Sequence, residues 1–332
     1  MVNMESFSCA LLFFSIVITL QLQKAATSCP PPENILPCRC STYGPVLTCK
    51  GFNRVKEIPF SSFKGRTYNR LILEDGRMSK FPTDVFQGLS IRHIELKNLQ
   101  ITSLTLMEDF QGLAKSLQTL TLEETNVGTI KASNKISHND EFRYFYTLRM
   151  EGSTCLLNES LNYIGISNLK QFICTGNPEG QNSVFISDFL LATFSNLEEV
   201  NLGGTKVRNV KRDTFPVTAQ KLKIINLRDN NLSELDKLIF TNMPALRELY
   251  LQGNMFKSLD RHTFKPVWNQ LTHIYLNDNP VKCNCDIGWL IVTKKPTNLI
   301  YPTCAFPPQF VGVSLKDVEI DDVCSWWWTV FV

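Results

Sequence analysis

An α/β repeat is the fold this sequence predicts: a curved solenoid with a parallel sheet on its concave face, and loops, 3-10 turns and short helices on its convex face. Three observations predict it. Apolar residues recur in blocks of about 25 residues. Cysteines gather at both ends of the repeating stretch, and no catalytic signature interrupts it.

The first element, residues 1–28, reads as a secretory signal. FSCALLFFSIVITL is an apolar run too short to cross a bilayer as a helix, and QLQKAATSC follows it with small residues at a cleavage position. Glu5 and the lack of a basic residue ahead of the run leave a short membrane anchor as the other reading. Loss of Cys9 with the signal takes eleven cysteines to ten, an even number expected to pair in an oxidising compartment. The 332-residue chain is 43% hydrophobic, ample for a large core, and its net charge of +3 lacks the basic excess of a nucleic-acid binder. No later run reaches membrane-spanning length, so the mature chain is expected to be secreted and extracellular. A receptor ectodomain would need a span after Cys324, where eight residues stand.

Cys29, Cys38, Cys40 and Cys49 mark an amino-terminal cap over residues 29–66. Repeats fill residues 67–279. The clearest begin at Leu222 (LKIINLRDNNLSEL), Leu246 (LRELYLQGNMFKSL) and Leu271 (LTHIYLNDNPV), with apolar residues at offsets 1, 4, 6, 11 and 14. Weaker copies begin at Tyr68, Ile91, Leu117, Phe145, Leu169 and Leu197, giving nine in all. Alternation at offsets 4 and 6 builds a short strand with its apolar side inward. Asn230, Asn254 and Asn279 share offset 9, where an amide that both donates and accepts can satisfy the backbone of a buried turn. Gly76, Leu99 and Thr125 stand there in early copies, so the Asn ladder should be patchy at the amino end. Phe86, Phe110, Phe215, Phe240 and Phe264 recur later in each block and should fill the space behind the sheet. This is the period of a leucine-rich-repeat solenoid.

A solenoid exposes its core at both ends unless something covers it. Cys283, Cys285, Cys304 and Cys324 mark a second cap over residues 280–324, with Trp289-Leu290 as its apolar surface, and residues 325–332 form a short tail. NPVKCNCDIGWL resembles the carboxyl-terminal cap of extracellular leucine-rich-repeat proteins, and CPPPENILPCRCSTYGPVLTC resembles their amino-terminal cap. That resemblance implies pairing first with third and second with fourth: Cys29 with Cys40, Cys38 with Cys49, Cys283 with Cys304, Cys285 with Cys324. From sequence alone, four cysteines permit three pairings. Cys155 and Cys174 fall at inward offsets of adjacent blocks and are either a disulfide or a pair of buried thiols. A zinc site is the weaker reading of the end clusters, because such sites favour CxxC knuckles in reducing compartments.

Catalysis is not expected. GxSxG, HExxH, P-loop, GxGxxG and CxxC are all absent. Of the four histidines, His93 and His273 share offset 3 but lie seven blocks apart, roughly 34 Å at the spacing of parallel strands. No metal and no cofactor is expected. Function should lie on the concave face, at offsets 3, 5, 7 and 8. Its amino end carries more acids than bases from Glu74 through Glu124, a run that suits basic partners or a solvated face. Towards the other end Tyr250 and Tyr275 share one offset, near Arg228, Asp229 and Glu248, and together suggest a protein-binding hot spot. Asn158 and Asn231 open glycosylation sequons, and the stretch from Lys131 to Tyr146 reads as a convex loop.

The amino cap and the relaxed repeats are also similar to arthropod secreted proteins related to the non-catalytic leucine-rich subunit of shrimp luciferin 2-monooxygenase. That resemblance implies a role in stabilising or presenting another secreted protein. The expected function is therefore binding of an extracellular protein through the concave face, with recognition of glycans or microbial surfaces as the alternative.

Overall fold

The computed structural model describes residues 29–132, 142–153, 155, 166–176 and 190–324. The signal segment, the tail, Asn158 and most of the Lys131–Tyr146 loop lie outside them.

Among the described residues one sheet runs the length of the molecule. It opens with a hairpin of the amino cap, β1 (Cys38–Ser41) and β2 (Val46–Lys50). The repeats continue it in parallel through β3 (Thr67–Met78), β4 (Ser90–Leu106), β5 (Thr119–Glu123), β7 (Thr147–Glu151), β8 (Gln171–Thr175), β9 (Glu199–Asn201), β10 (Ile224–Asn226), β11 (Glu248–Tyr250) and β12 (His273–Tyr275). It closes on β14 (Asn298–Ile300), a strand of the carboxyl cap paired in parallel with β12. Two further ladders lie past the turn: β6 (Asn126–Ala132) pairs with the second half of β4, and β13 (Pro280–Lys282) pairs with β15 (Thr303–Phe306).

Alternation sets which side is inward. In β5 and β7 every second residue is buried, and Leu120, Leu122, Leu148 and Met150 are fully covered. Behind them the phenylalanines stack from coil to coil, with centroids 5.6 Å apart for Phe86 and Phe110 and 5.7 Å for Phe240 and Phe264.

Each coil has a left-handed residue at offset 8, where the strand turns. The nine positions from Asp75 to Asp278 have φ between 47° at Asn98 and 70° at Gly204. Asp, Asn and Gly, the residues that tolerate this region, hold eight of the nine; Glu124 is the other. Gly253 has a second reason to lack a side chain, since a Cβ there would run into the carboxylate of Asp229 in the preceding coil.

The next position carries the ladder. Asn254 donates to Leu227 O (2.9 Å) and Leu251 O (3.0 Å) and accepts from Leu232 N (3.1 Å). Asn230 and Asn279 repeat the pattern. Upstream the ladder changes chemistry. Thr125 donates through Oγ1 to Leu96 O (2.9 Å), Ser153 accepts from Thr125 N (2.9 Å), and Thr205 donates to Leu202 O (2.7 Å). Hydroxyls thus continue what the expectation left as a gap. Only Gly76 and Leu99 have no polar side chain. At Gly76 the cause is the cap: a Cβ would stand 2.6 Å from the Phe52 ring, which fills the slot. The coils there run on as strands of 12 and 17 residues and satisfy the backbone by pairing directly, Arg77 with Gln100 and Met78 with Ile101.

Both caps are tied by disulfides. Cys29 bonds to Cys40 and Cys38 to Cys49, while Cys283 bonds to Cys304 and Cys285 to Cys324. Cys155 bonds to Cys174, which lies in β8. Trp289 seals the carboxyl end: it is 2% exposed, its Nε1 donates to Leu259 O (2.9 Å), and its ring meets Trp268 at 4.8 Å.

Candidate concave binding face

Strand register places one residue of every coil in the centre of the concave face. Over its carboxyl half this row reads Asn201, Asn226, Tyr250, Tyr275, Ile300. The two tyrosines stack with centroids 4.8 Å apart and planes 8° from parallel. Tyr250 Oη donates to Glu248 Oε2 at 2.8 Å. Burial first, and that carboxylate second, push the phenol up to about 12. Ile300, 44% exposed, extends the row onto the carboxyl cap. Arg228 and Asp229 stand beyond it towards the turn of the preceding coil, both exposed, with Nε 3.7 Å from Oδ2.

The amino half is rich in ion pairs. Most of its acids are paired within the face: Lys50 of the cap reaches Glu74 (2.9 Å) and Asp75 (3.0 Å), Arg70 reaches Glu95 (2.9 Å), Lys97 reaches Glu123 (2.9 Å), and Arg149 reaches Glu151 (2.7 Å). Asn98 and then Lys50 hold the Asp75 carboxyl below its usual range. Side chains two residues apart on one strand share a face, and parallel register sets Lys50, Glu74, Lys97 and Glu123 in a row of alternating sign. Acids still outnumber bases there, but most of them are paired. His93 sits among these groups, where burial and then Arg70 push its pKa down.

Sequence reasoning brought Tyr250, Tyr275 and Glu248 to one place, and the structure puts them in contact. It missed Glu199 and Asn201, which share the same rows, and Ile300, and it gave no role to Asn226, which the offsets place on this face. Glu199 accepts from Gln171 Nε2 at 2.9 Å and lies opposite Ile224, whose other neighbour is Glu248. For Glu199 and Asn226 the offset rule itself was the available signal; Ile300 also keeps the step from Tyr250 to Tyr275, but it lies in the segment read as the carboxyl cap. Asn231 is exposed and lies outside the strands, just past the ladder residue Asn230.

No set of His, Cys, Asp and Glu among the described residues could hold a metal ion, and no helix there is long and apolar enough to cross a membrane.

The architecture is that of a leucine-rich-repeat solenoid. Residues 195–256 and 220–281 match the family described as Leucine rich repeat. The chain is 24% identical over 241 residues to Toll-like receptor 9 of Mus musculus, covering 63% of this chain and 23% of the receptor. It is 31% identical over 108 residues to trophoblast glycoprotein of Mus musculus, covering 31% of this chain and 25% of that protein. It thus spans about a quarter of the length of these curated relatives. Among solved structures, a chain of the octameric complex of Latrophilin 3, Unc5D and FLRT2 shares the fold, with TM-score 0.59 and 16% identity over 90% of this chain and 99% of that one.

Proposed function

We propose that this protein is secreted, performs no catalysis, and binds another extracellular protein through the carboxyl half of its concave face. The observation that carries the reading is the row Tyr250–Tyr275–Ile300, two stacked aromatic rings and an exposed aliphatic side chain at the centre of the concave sheet. Aromatic anchors ringed by polar groups are the usual energetic centre of a protein interface. The fold is shared with a chain of a multi-protein assembly, which supports the same reading. A non-catalytic stabilising subunit is one form this binding takes. The stack weighs against glycan recognition, because each ring covers one face of the other and removes it from a sugar. Asn231 takes a glycan outside the strands, leaving the central row open, and Asn158 is the second acceptor.

The test is the native mass of the secreted protein, with identification of whatever co-purifies. A defined complex with a second polypeptide, released by the Tyr250→Ala/Tyr275→Ala double substitution, is the expected result. A lone chain that captures no protein from its source fluid overturns it.

A further inference from the structure

The two halves of the concave face differ in how their charges are matched. In the amino half the carboxylates Glu74, Glu95, Glu123 and Glu151 each meet a cation within 4 Å. In the carboxyl half Glu199 and Glu248 take hydrogen bonds from neutral groups, Gln171 and Tyr250, and form no salt bridge among the described residues. The cations nearest in sequence are engaged elsewhere. Lys170 and Lys223 at the rim are tied to Glu198, Arg247 gives its Nη1 to Pro244 O and Leu246 O, and Arg228 faces Asp229.

Glu199, Ile224 and Glu248 are successive partners in β9, β10 and β11, so the two carboxylates flank Ile224 two strands apart, about 10 Å. Asn226 and Tyr250 stand beside them in the central row. The arrangement is a half-buried apolar floor between two acids, with an aromatic ring at one side.

We infer that this niche receives a lysine or arginine side chain of the protein partner, its aliphatic stem lying over Ile224 against Tyr250 and its charged head between Glu199 and Glu248. The inference rests on the protein-binding reading and adds the chemistry of the residue that is read. Long cationic side chains bury their stems on apolar surface while their heads stay with acids and water. Steering by unmatched carboxylates also raises the rate of encounter.

The experiment pans a random peptide library displayed on phage against the intact disulfide-bonded chain, then measures the selected peptides against variants. Peptides carrying a Lys or Arg among apolar residues should be enriched. They should bind roughly tenfold more weakly to Glu199→Gln/Glu248→Gln, and progressively more weakly as salt is raised. The salt series uses the wild-type chain and so does not depend on any variant folding. Selected peptides that lose binding with Tyr250→Ala/Tyr275→Ala but ignore Glu199→Gln/Glu248→Gln and salt would overturn the cation niche and leave the binding face standing. Peptides indifferent to all four substitutions, or no enrichment at all, would overturn both.

Discussion

Asn254 shows how much one side chain can hold in a coil. Its amide serves the buried Leu227 and Leu251 carbonyls and the Leu232 N–H, groups of its own coil and of the one before it. Asn254→Ala leaves those groups without partners in a site closed to water, and should cost about 3 kcal/mol or more in urea unfolding. Tyr250 carries the pH prediction. Its proton is held to about 12 in the folded chain, whereas the unfolded chain releases it near pH 10. The unfolded state therefore loses the proton first, and stability falls as pH rises from about 10 to 12. Tyr250→Phe should remove one tyrosinate from the latest part of the ultraviolet titration, together with that part of the decline. The Asn slot was legible in the sequence because the same amide recurs at one spacing. Gly76 was legible only as an exception, since its cause is the Phe52 ring from a segment outside the repeat.

The strands of the repeats follow from alternation, and every one of the nine blocks turns at the offset ahead of the ladder position. What alternation could not give is the participation of the caps. β2 and β14 keep the repeat spacing to their partners, Leu47 to Leu71 and Tyr275 to Ile300, but lie within the cysteine-marked segments; they pair in register with β3 and β12 and extend the sheet at both ends. The long β3, β4 and β6 were equally hidden, because the missing amide there is replaced by backbone pairing that only the stacked coils reveal. Trp289 is the element that closes the carboxyl end, wedged against Trp268 and Phe264 with its N–H on Leu259. Trp289→Ala should cost about 3–5 kcal/mol, read as a lower denaturation midpoint, and should loosen the last coil first.

Across the whole molecule the sheet divides into a half whose acids are mostly ion-paired and a half in which Glu199 and Glu248 are not. Composition gave a near-neutral chain, and the linear order of residues gave an acidic run, but ion pairs such as Lys97 with Glu123 form between residues a coil apart. Being exposed, such pairs add on the order of 0–1 kcal/mol each. Their larger effect is on where a partner is drawn. In the co-purification test Lys97→Met should leave the complex intact, while the tyrosine substitutions release it. The strand that the carboxyl cap adds to the sheet changes what that cap is. Because Ile300 continues the tyrosine row, the lid that protects the core also writes the last letter of the surface that is read. Exchanging it for a sturdier lid from another solenoid would import a foreign residue at that place, so engineering for shelf life at this end would alter partner choice as well.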